Sequence, residues 1–203
     1  MMRYMGAAVS AVIAAPIEEV WALVSDPTRH PEIAGTGEVR AVQVVGGGPV
    51  GLGTVFESQQ NMRGARYVTA NRVVLWEPPY RFAWRVGLRV NPGVGQIYGF
   101  KLTPEAGGTR VENAMASIYA APAFFPFSLL HEELGRREAG AMRPTLANIA
   151  RVLGAPPPTD YQERREAPSE LAAQLPSPLL QGATVAGLAA ALIAFTLRRR
   201  QRA

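Results

Sequence analysis

The sequence predicts an α+β domain over residues 1–154, followed by a C-terminal extension of different character. Three observations carry that expectation. A strand and two helices open the chain, a run of period-two segments joined by Gly- and Pro-bearing turns follows, and one long apolar-striped helix closes the run. Helices set against one face of an antiparallel sheet define the α+β class. The 203 residues suffice for one ordinary domain and an appendage. At 48% hydrophobic and 18% charged residues, the composition is that of a globular chain, not a disordered one.

The first strand is expected from Tyr4 to Ala14. Arg3 and the Ala/Val-rich run behind it bear a faint likeness to a signal peptide. However, Val9, Ala11 and Ile13 alternate with Ser10, Val12 and Ala14, and Pro16 stands where cleavage would fall, so a strand accounts for the stretch better. Pro16 suits the first turn of a helix, and Glu18 and Glu19 favour its positive end. Ile17, Val20, Trp21 and Val24 repeat at i, i+3, i+4 and i+7 and mark a buried face. Asp26-Pro27 ends this helix, and a short second one is expected over Thr28 to Ala34.

Period two then takes over. Strands are expected at Val39–Val45, Thr54–Gln60, Tyr67–Trp76, Arg81–Val86, Gln96–Thr103 and Thr109–Tyr119. Gly46-Gly47-Gly48-Pro49, Glu77-Pro78-Pro79-Tyr80 and Pro104-Glu105-Ala106-Gly107-Gly108 supply turns. Short turns make such strands antiparallel neighbours. The last helix is expected from Leu129 to Leu153, with Gly154 as its C-cap. Leu134, Met142, Leu146, Ile149 and Leu153 keep one stripe apolar, and Pro144 should kink the rod or split it.

Residues 155–178 hold six prolines among charged residues and read as an extended linker, with Ser169-Glu170-Leu171 able to start one helical turn. Leu179 to Leu197 is a stretch of 19 residues without a charge, about 28 Å long as a helix against a hydrocarbon core of about 30 Å. Ala183, Gly187 and Ala191 give it a small-xxx-small face. This stretch is a candidate transmembrane helix, and residues 198–203 form a basic tail. A soluble alanine-rich helix folded back on the domain is the alternative. A single-pass C-terminal anchor with a cytoplasmic domain is expected, since no convincing export signal precedes the domain, although the terminal arginines oppose that orientation.

Charge and composition exclude several functions. Of the formal charge of +5, Arg198, Arg199, Arg200 and Arg202 supply most, leaving the domain nearly neutral. It lacks the basic stripe that a nucleic-acid binder needs, so no nucleic-acid partner is expected. The absence of cysteine excludes disulfides and thiolate metal sites, and two histidines, His30 and His131, make a zinc site improbable. There is no Gly-x-Ser-x-Gly elbow and no phosphate loop, because Gly46-Gly47-Gly48 lacks a following Lys. No metal and no cofactor are expected. His30 and His131 both read as solvent-exposed, and Arg72 and Arg85 as surface charges on outward strand faces. No catalytic residue is named by the sequence.

Alternation does name an inward face. Phe82, Trp84 and Val86 share it on one strand, as do Tyr98, Phe100 and Leu102 on the next. Val111, Asn113, Met115, Ser117 and Tyr119 share it on the last. An apolar face with a few polar tips has the composition of a small-molecule pocket, and equally of an ordinary filled core. Phe82, Trp84, Tyr98, Phe100, Asn113, Met115, Ser117, Tyr119, Met142 and Leu146 are the candidate ligand-binding residues. Ala121-Pro122-Ala123-Phe124-Phe125-Pro126-Phe127 reads as a lid, a membrane-dipping loop, or a loop buried against the last helix.

The chain also resembles a known superfamily. Val12-Ile13-Ala14-Ala15-Pro16-Ile17-Glu18-Glu19-Val20-Trp21-Ala22-Leu23-Val24-Ser25-Asp26-Pro27 is similar to the opening of START-like, or SRPBCC, proteins. These include Bet v 1-like proteins and the bacterial polyketide cyclase/dehydrase and lipid-transport group. Pro31-Glu32, Gly51-Leu52-Gly53-Thr54 and Glu77-Pro78-Pro79-Tyr80-Arg81-Phe82 follow in the matching order, and the likeness spans residues 4 to about 153. It departs from the pattern at the position held by His30 or Glu32, where relatives often carry a tryptophan region, and in the extension after Gly154. The resemblance implies a helix-grip fold, with a curved antiparallel sheet of about six to seven strands around the last helix. It also implies a hydrophobic ligand between them. Three functions fit: a membrane-tethered binder or carrier of a lipid, isoprenoid or polyketide-like molecule, a cyclase/dehydrase-type enzyme using the same pocket, and a non-enzymatic membrane scaffold.

Overall fold

The computed structural model describes residues 4–89, 96–118 and 127–175. The sheet has eight strands, in the order β2-β3-β4-β5-β6-β7-β1-β8. In chain order these are β1 (Tyr4–Ile13), β2 (Val39–Val44), β3 (Val55–Met62), β4 (Ala65–Glu77), β5 (Arg81–Gly87), β6 (Ile97–Glu105), β7 (Gly108–Ile118) and β8 (Gln162–Arg164). Helix α1 (Ile17–Val24), a 3-10 turn (Pro27–Arg29) and α2 (His30–Ile33) lie between β1 and β2. The long α3 (Phe127–Val152) follows β7, and α4 (Ser169–Ala172) follows β8. Every pairing is antiparallel, and the sheet wraps α3 as the sequence resemblance implies.

Period two gives each strand two faces. The inner face puts Val9, Ala11 and Ile13 of β1, Phe82 of β5, Leu102 of β6 and Val111 and Met115 of β7 into one core with α1 and α3. Val20, Leu23 and Val24 supply the buried side of α1, and Met142, Leu146 and Ile149 that of α3. Pro144 does not split α3, which runs unbroken through it. The carbonyl a proline ring crowds is that of the fourth residue before it. Here that residue is Gly140, which like Pro144 faces solvent. The second helix is shorter than expected because Asp26 caps a 3-10 turn first, accepting from Thr28 N at 2.9 Å and Thr28 Oγ1 at 2.6 Å.

The first part of the segment expected as an extended linker is docked. Residues 155–175 are extended where their prolines require it, but they lie against the domain. Asp160 accepts from the Val12 backbone N–H at 3.0 Å and from Arg110 at 3.0 Å. Gln162–Arg164 then pairs with Ser10–Ala8 as an eighth strand. Next the chain crosses the outer face of the sheet. A Cβ on Gly6 would stand 2.3 Å from Ala167 Cα, so this close passage requires glycine. Leu171 of α4 is buried on a shallow outer cluster of Ala8, Ala83, Ile97, Ala114 and Ala116. We call residues 155–175 the strap. Leu179–Leu197, the basic tail, residues 121–126 and Tyr119 lie outside the described residues. Among the described residues, no helix is long and apolar enough to cross a membrane.

Candidate ligand site

A cavity of about 500 Å³ opens between the inner face of β3–β7, the turn after α2, and the middle of α3. That volume is within the range of small-molecule sites, roughly 300–1,000 Å³. Three anchors hold the α2 turn on α3. Gly35 N donates to Thr145 Oγ1 at 3.0 Å, Asn148 Nδ2 donates to Ile33 O at 3.4 Å, and Arg151 Nη2 donates to Glu32 O at 3.0 Å. A Cβ on Gly35 would meet Ala141 O at 2.0 Å, so the approach that shapes this wall depends on a glycine.

The wall has an aromatic part and a polar part. Trp84 is the centre of the first, with ring centroids 4.9 Å from His30, 5.9 Å from Tyr98 and 6.1 Å from Phe100. The polar part is built on β3 and β4, whose register sets Phe56 opposite Asn71 and Ser58 opposite Thr69. Asn71, 2% exposed, donates from Nδ2 to Ser58 Oγ at 3.0 Å, Thr69 Oγ1 at 3.3 Å and Phe56 O at 3.3 Å. Because Ser58 and Thr69 accept from the amide, their own hydroxyl hydrogens are left for a partner in the cavity. Asn113 donates to Gly99 O at 3.3 Å, and Gln96 donates to the Tyr98 hydroxyl at 2.6 Å. Glu38 and Arg137, both part of the lining, form an ion pair.

His30 corrects the sequence expectation. It is buried, not exposed, among Phe56, Phe82, Trp84 and Phe100. Burial lowers its pKa from 6.5 to about 4, against smaller opposing effects of the Val24 carbonyl and of Asp26. The ring is therefore neutral near pH 7, and Nε2 can donate to Val24 O at 3.0 Å. The missed signal was its spacing. Ile33 stands three residues on, so on a helical turn the two side chains share a face, and Ile33 belongs inside.

Of the residues singled out from the sequence, Trp84, Tyr98, Phe100, Asn113 and Met142 line the cavity. Phe82, Met115 and Leu146 face the same interior but are packed away in the core, and Ser117 is buried without reaching the cavity wall. His131 sits on α3 at a position whose side chain lies outside the described residues. Arg72 is exposed as expected. Arg85 is not an ordinary surface charge: the strap covers it, its guanidinium donates to Gln174 O, and burial, with Arg72 nearby, lowers its pKa. The polar lining on β3 and β4 was not singled out from the sequence, although alternation carries the signal: Ser58 follows Phe56 by two and Asn71 precedes Val73 by two. Among the described residues, no three His, Asp or Glu side chains are grouped as a metal ion requires.

Comparison with known proteins agrees with this architecture. Over 84 residues the chain is 37% identical to "Uncharacterized protein Rv0088" of Mycobacterium tuberculosis, an alignment spanning 37% of each chain, so it covers little over a third of that relative. The fold is similar to the di-domain ARO/CYC BexL from the BE-7585A biosynthetic pathway, with TM-score 0.56, 15% identity, and coverage of 73% of this chain and 49% of that one. It is also similar to Ara h 8.0201, with TM-score 0.54, 13% identity, and coverage of 74% and 99%. Residues 6–154 match the family model described as polyketide cyclase / dehydrase and lipid transport. With its curved sheet, gripped helix and interior cavity, and with that match over most of its length, the chain belongs to the polyketide cyclase/dehydrase and lipid transport family.

Proposed function

We propose that this chain binds or carries a hydrophobic small molecule, of lipid, isoprenoid or polyketide type, and that Leu179–Leu197 tethers it to a membrane with the domain on the cytoplasmic side. The observation that carries the binding reading is the cavity of about 500 Å³, walled by Trp84, Tyr98, Phe100, Phe56 and Met142. Apolar surface of this kind holds a ligand through water exclusion, and a few fixed polar groups orient it. Native mass spectrometry of the full chain released from detergent micelles tests this. A discrete apolar molecule should remain bound to wild type, and Trp84→Ala should release it. If no molecule is retained from cell extract or after adding a lipid extract, binding is refuted.

The tether rests on the length and apolarity of Leu179–Leu197. The full chain should pellet with membranes and resist carbonate, and Gly187→Arg with Leu192→Arg should release it, at about 2.5–3.5 kcal/mol per arginine near the helix centre. A wild-type chain that washes off in salt would refute the tether. Protease added to intact cells reports the side, and cleavage would place the domain outside.

A second reading, a cyclase/dehydrase-type enzyme, is favoured by the buried imidazole on the cavity wall. A pKa of about 4 makes His30 a weak base in the empty cavity, which ranks this reading below binding.

A further inference from the structure

His30 is bound to the protein on one side of its ring. Nε2 faces Val24 O at 3.0 Å, which fixes the tautomer with the hydrogen on Nε2 and the lone pair on Nδ1. Among the described residues, Nδ1 has no partner. Nor is it one of the fully enclosed side-chain polar atoms of the described residues that lack a partner. Since His30 lines the cavity and is 7% exposed, the cavity is where Nδ1 meets open space.

The surroundings give this nitrogen a narrow task. Phe56, Phe82, Trp84 and Phe100 surround the imidazole with ring centroids 4.9–6.5 Å away, and their rings offer no lone pair to a ligand. Burial keeps the ring neutral near pH 7, so Nδ1 stays an acceptor. A buried acceptor covered by a ligand that offers no hydrogen loses its access to water and gains nothing in exchange. Sites that hydrogen-bond a ligand O–H discriminate strongly against analogues lacking it, for this reason.

We propose that the cavity selects hydrophobic molecules carrying a hydroxyl, and that acceptance of the hydroxyl hydrogen by Nδ1 of His30 is its specificity-determining contact. This rests on the reading of the cavity as a hydrophobic-ligand site and narrows it to hydroxylated ligands, of the phenol or sterol kind, over hydrocarbons, ethers and esters. Trp84, lying beside the imidazole, supplies the flat wall against which a ring bearing that hydroxyl would pack.

A matched pair of probes tests it. The full chain is titrated with 2-naphthol and with 2-methoxynaphthalene, which differ in the O–H, by isothermal titration calorimetry under identical detergent conditions. Wild type should prefer 2-naphthol by roughly fivefold to tenfold beyond the difference in micelle partition, the size expected of one buried hydrogen bond. In His30→Leu the same partition applies, so the preference should fall to the partition ratio alone. Equal preference in the two proteins overturns the proposal while leaving the cavity reading intact. Failure of both probes to bind overturns both.

Because His30→Leu also strips Val24 O of its donor, at a cost to folding, nitrogen NMR of the wild-type full chain gives an independent readout. Two histidines make assignment direct. The unprotonated nitrogen of His30 should shift upfield on adding 2-naphthol and stay in place on adding 2-methoxynaphthalene. An unmoved Nδ1 resonance with 2-naphthol bound overturns the proposal.

Discussion

Acid should destabilise this protein through His30 before most of its carboxylates matter. In the fold, burial holds the imidazole at about 4, whereas in the unfolded chain it returns to the ordinary value near 6.5. The unfolded state therefore takes up the proton first as pH falls. Stability from the neutral buried ring is complete above about pH 6.5, is lost as pH drops through the interval toward 4, and is gone below that. At about 1.36 kcal/mol per pH unit, the whole interval corresponds to roughly 3 kcal/mol. The carboxyls of Glu32, Glu57, Asp160 and Glu170 are also held low by their partners, but they are common to any variant of His30 and cancel in the comparison. His30→Phe isolates the effect, since a ring of similar size enters the same aromatic nest. It should cost about 1–3 kcal/mol at pH 7.5, because Val24 O loses its donor. Urea unfolding followed by circular dichroism, on both proteins from pH 7.5 to 4.5, gives the stability gap at each pH. The gap should shrink by about 2.5 kcal/mol across that range, and can change sign. A gap constant to within about 0.5 kcal/mol would show that the ring is not a buried neutral base in the fold, and the reasoning would fail.

Two further predictions follow from close approaches. Leu171→Ala should lower stability by about 2 kcal/mol, because Leu171 is buried on the outer alanine cluster, and a chain ending at residue 155 should lose more, with β8 and the Asp160 bonds removed. Thermal unfolding of the two shortened or altered chains beside one ending at 175 checks this, and equal midpoints would mean the strap is loosely held. Gly35→Ala should destabilise by more than about 2 kcal/mol and weaken retention of the cavity's ligand, since the new Cβ would collide with the Ala141 carbonyl and push the α2 turn off α3. Wild-type stability and binding in that variant would show that the turn yields without disturbing the wall.

How much of this was legible in the sequence depends on what each signal encodes. Alternation encodes a face, so the inward sets of β5, β6 and β7 could be read directly, but it does not encode depth. Phe82 and Trp84 share a face on one strand, yet the first is sealed in the core and the second borders the cavity. Phe82 is closed in by Trp76, Trp84 and His30, with ring centroids 5.8, 5.3 and 6.0 Å away, and these partners come from other parts of the chain or from its own strand in ways alternation does not encode. His30 was misjudged for a related reason. A polar residue between Arg29 and Pro31 looks like a solvent-exposed turn by composition, and only its three-residue spacing from Ile33 reveals that it points with the core.

The strap shows the same distinction between composition and contact. Prolines exclude a helix and a central strand, which is why residues 155–178 read as a linker, but they do not prevent docking. Its three-residue strand sits at the sheet edge, outside β1, where a short partner is enough to cover exposed backbone groups. The features that hold it are visible singly: Gly6 and Gly99 leave room on the outer face, alanines at 8, 83, 114 and 116 make that face shallow, and Leu171 is a large apolar residue beyond the last helix of the domain. None has meaning until the strands are stacked in order, because Ala8, Ala83 and Ala114 are far apart in the chain and adjacent only across the sheet. The family match ends at residue 154, and the strap lies beyond it. It ties the end of the domain back across its outer face, where the guanidinium of Arg85 on β5 holds it at Gln174.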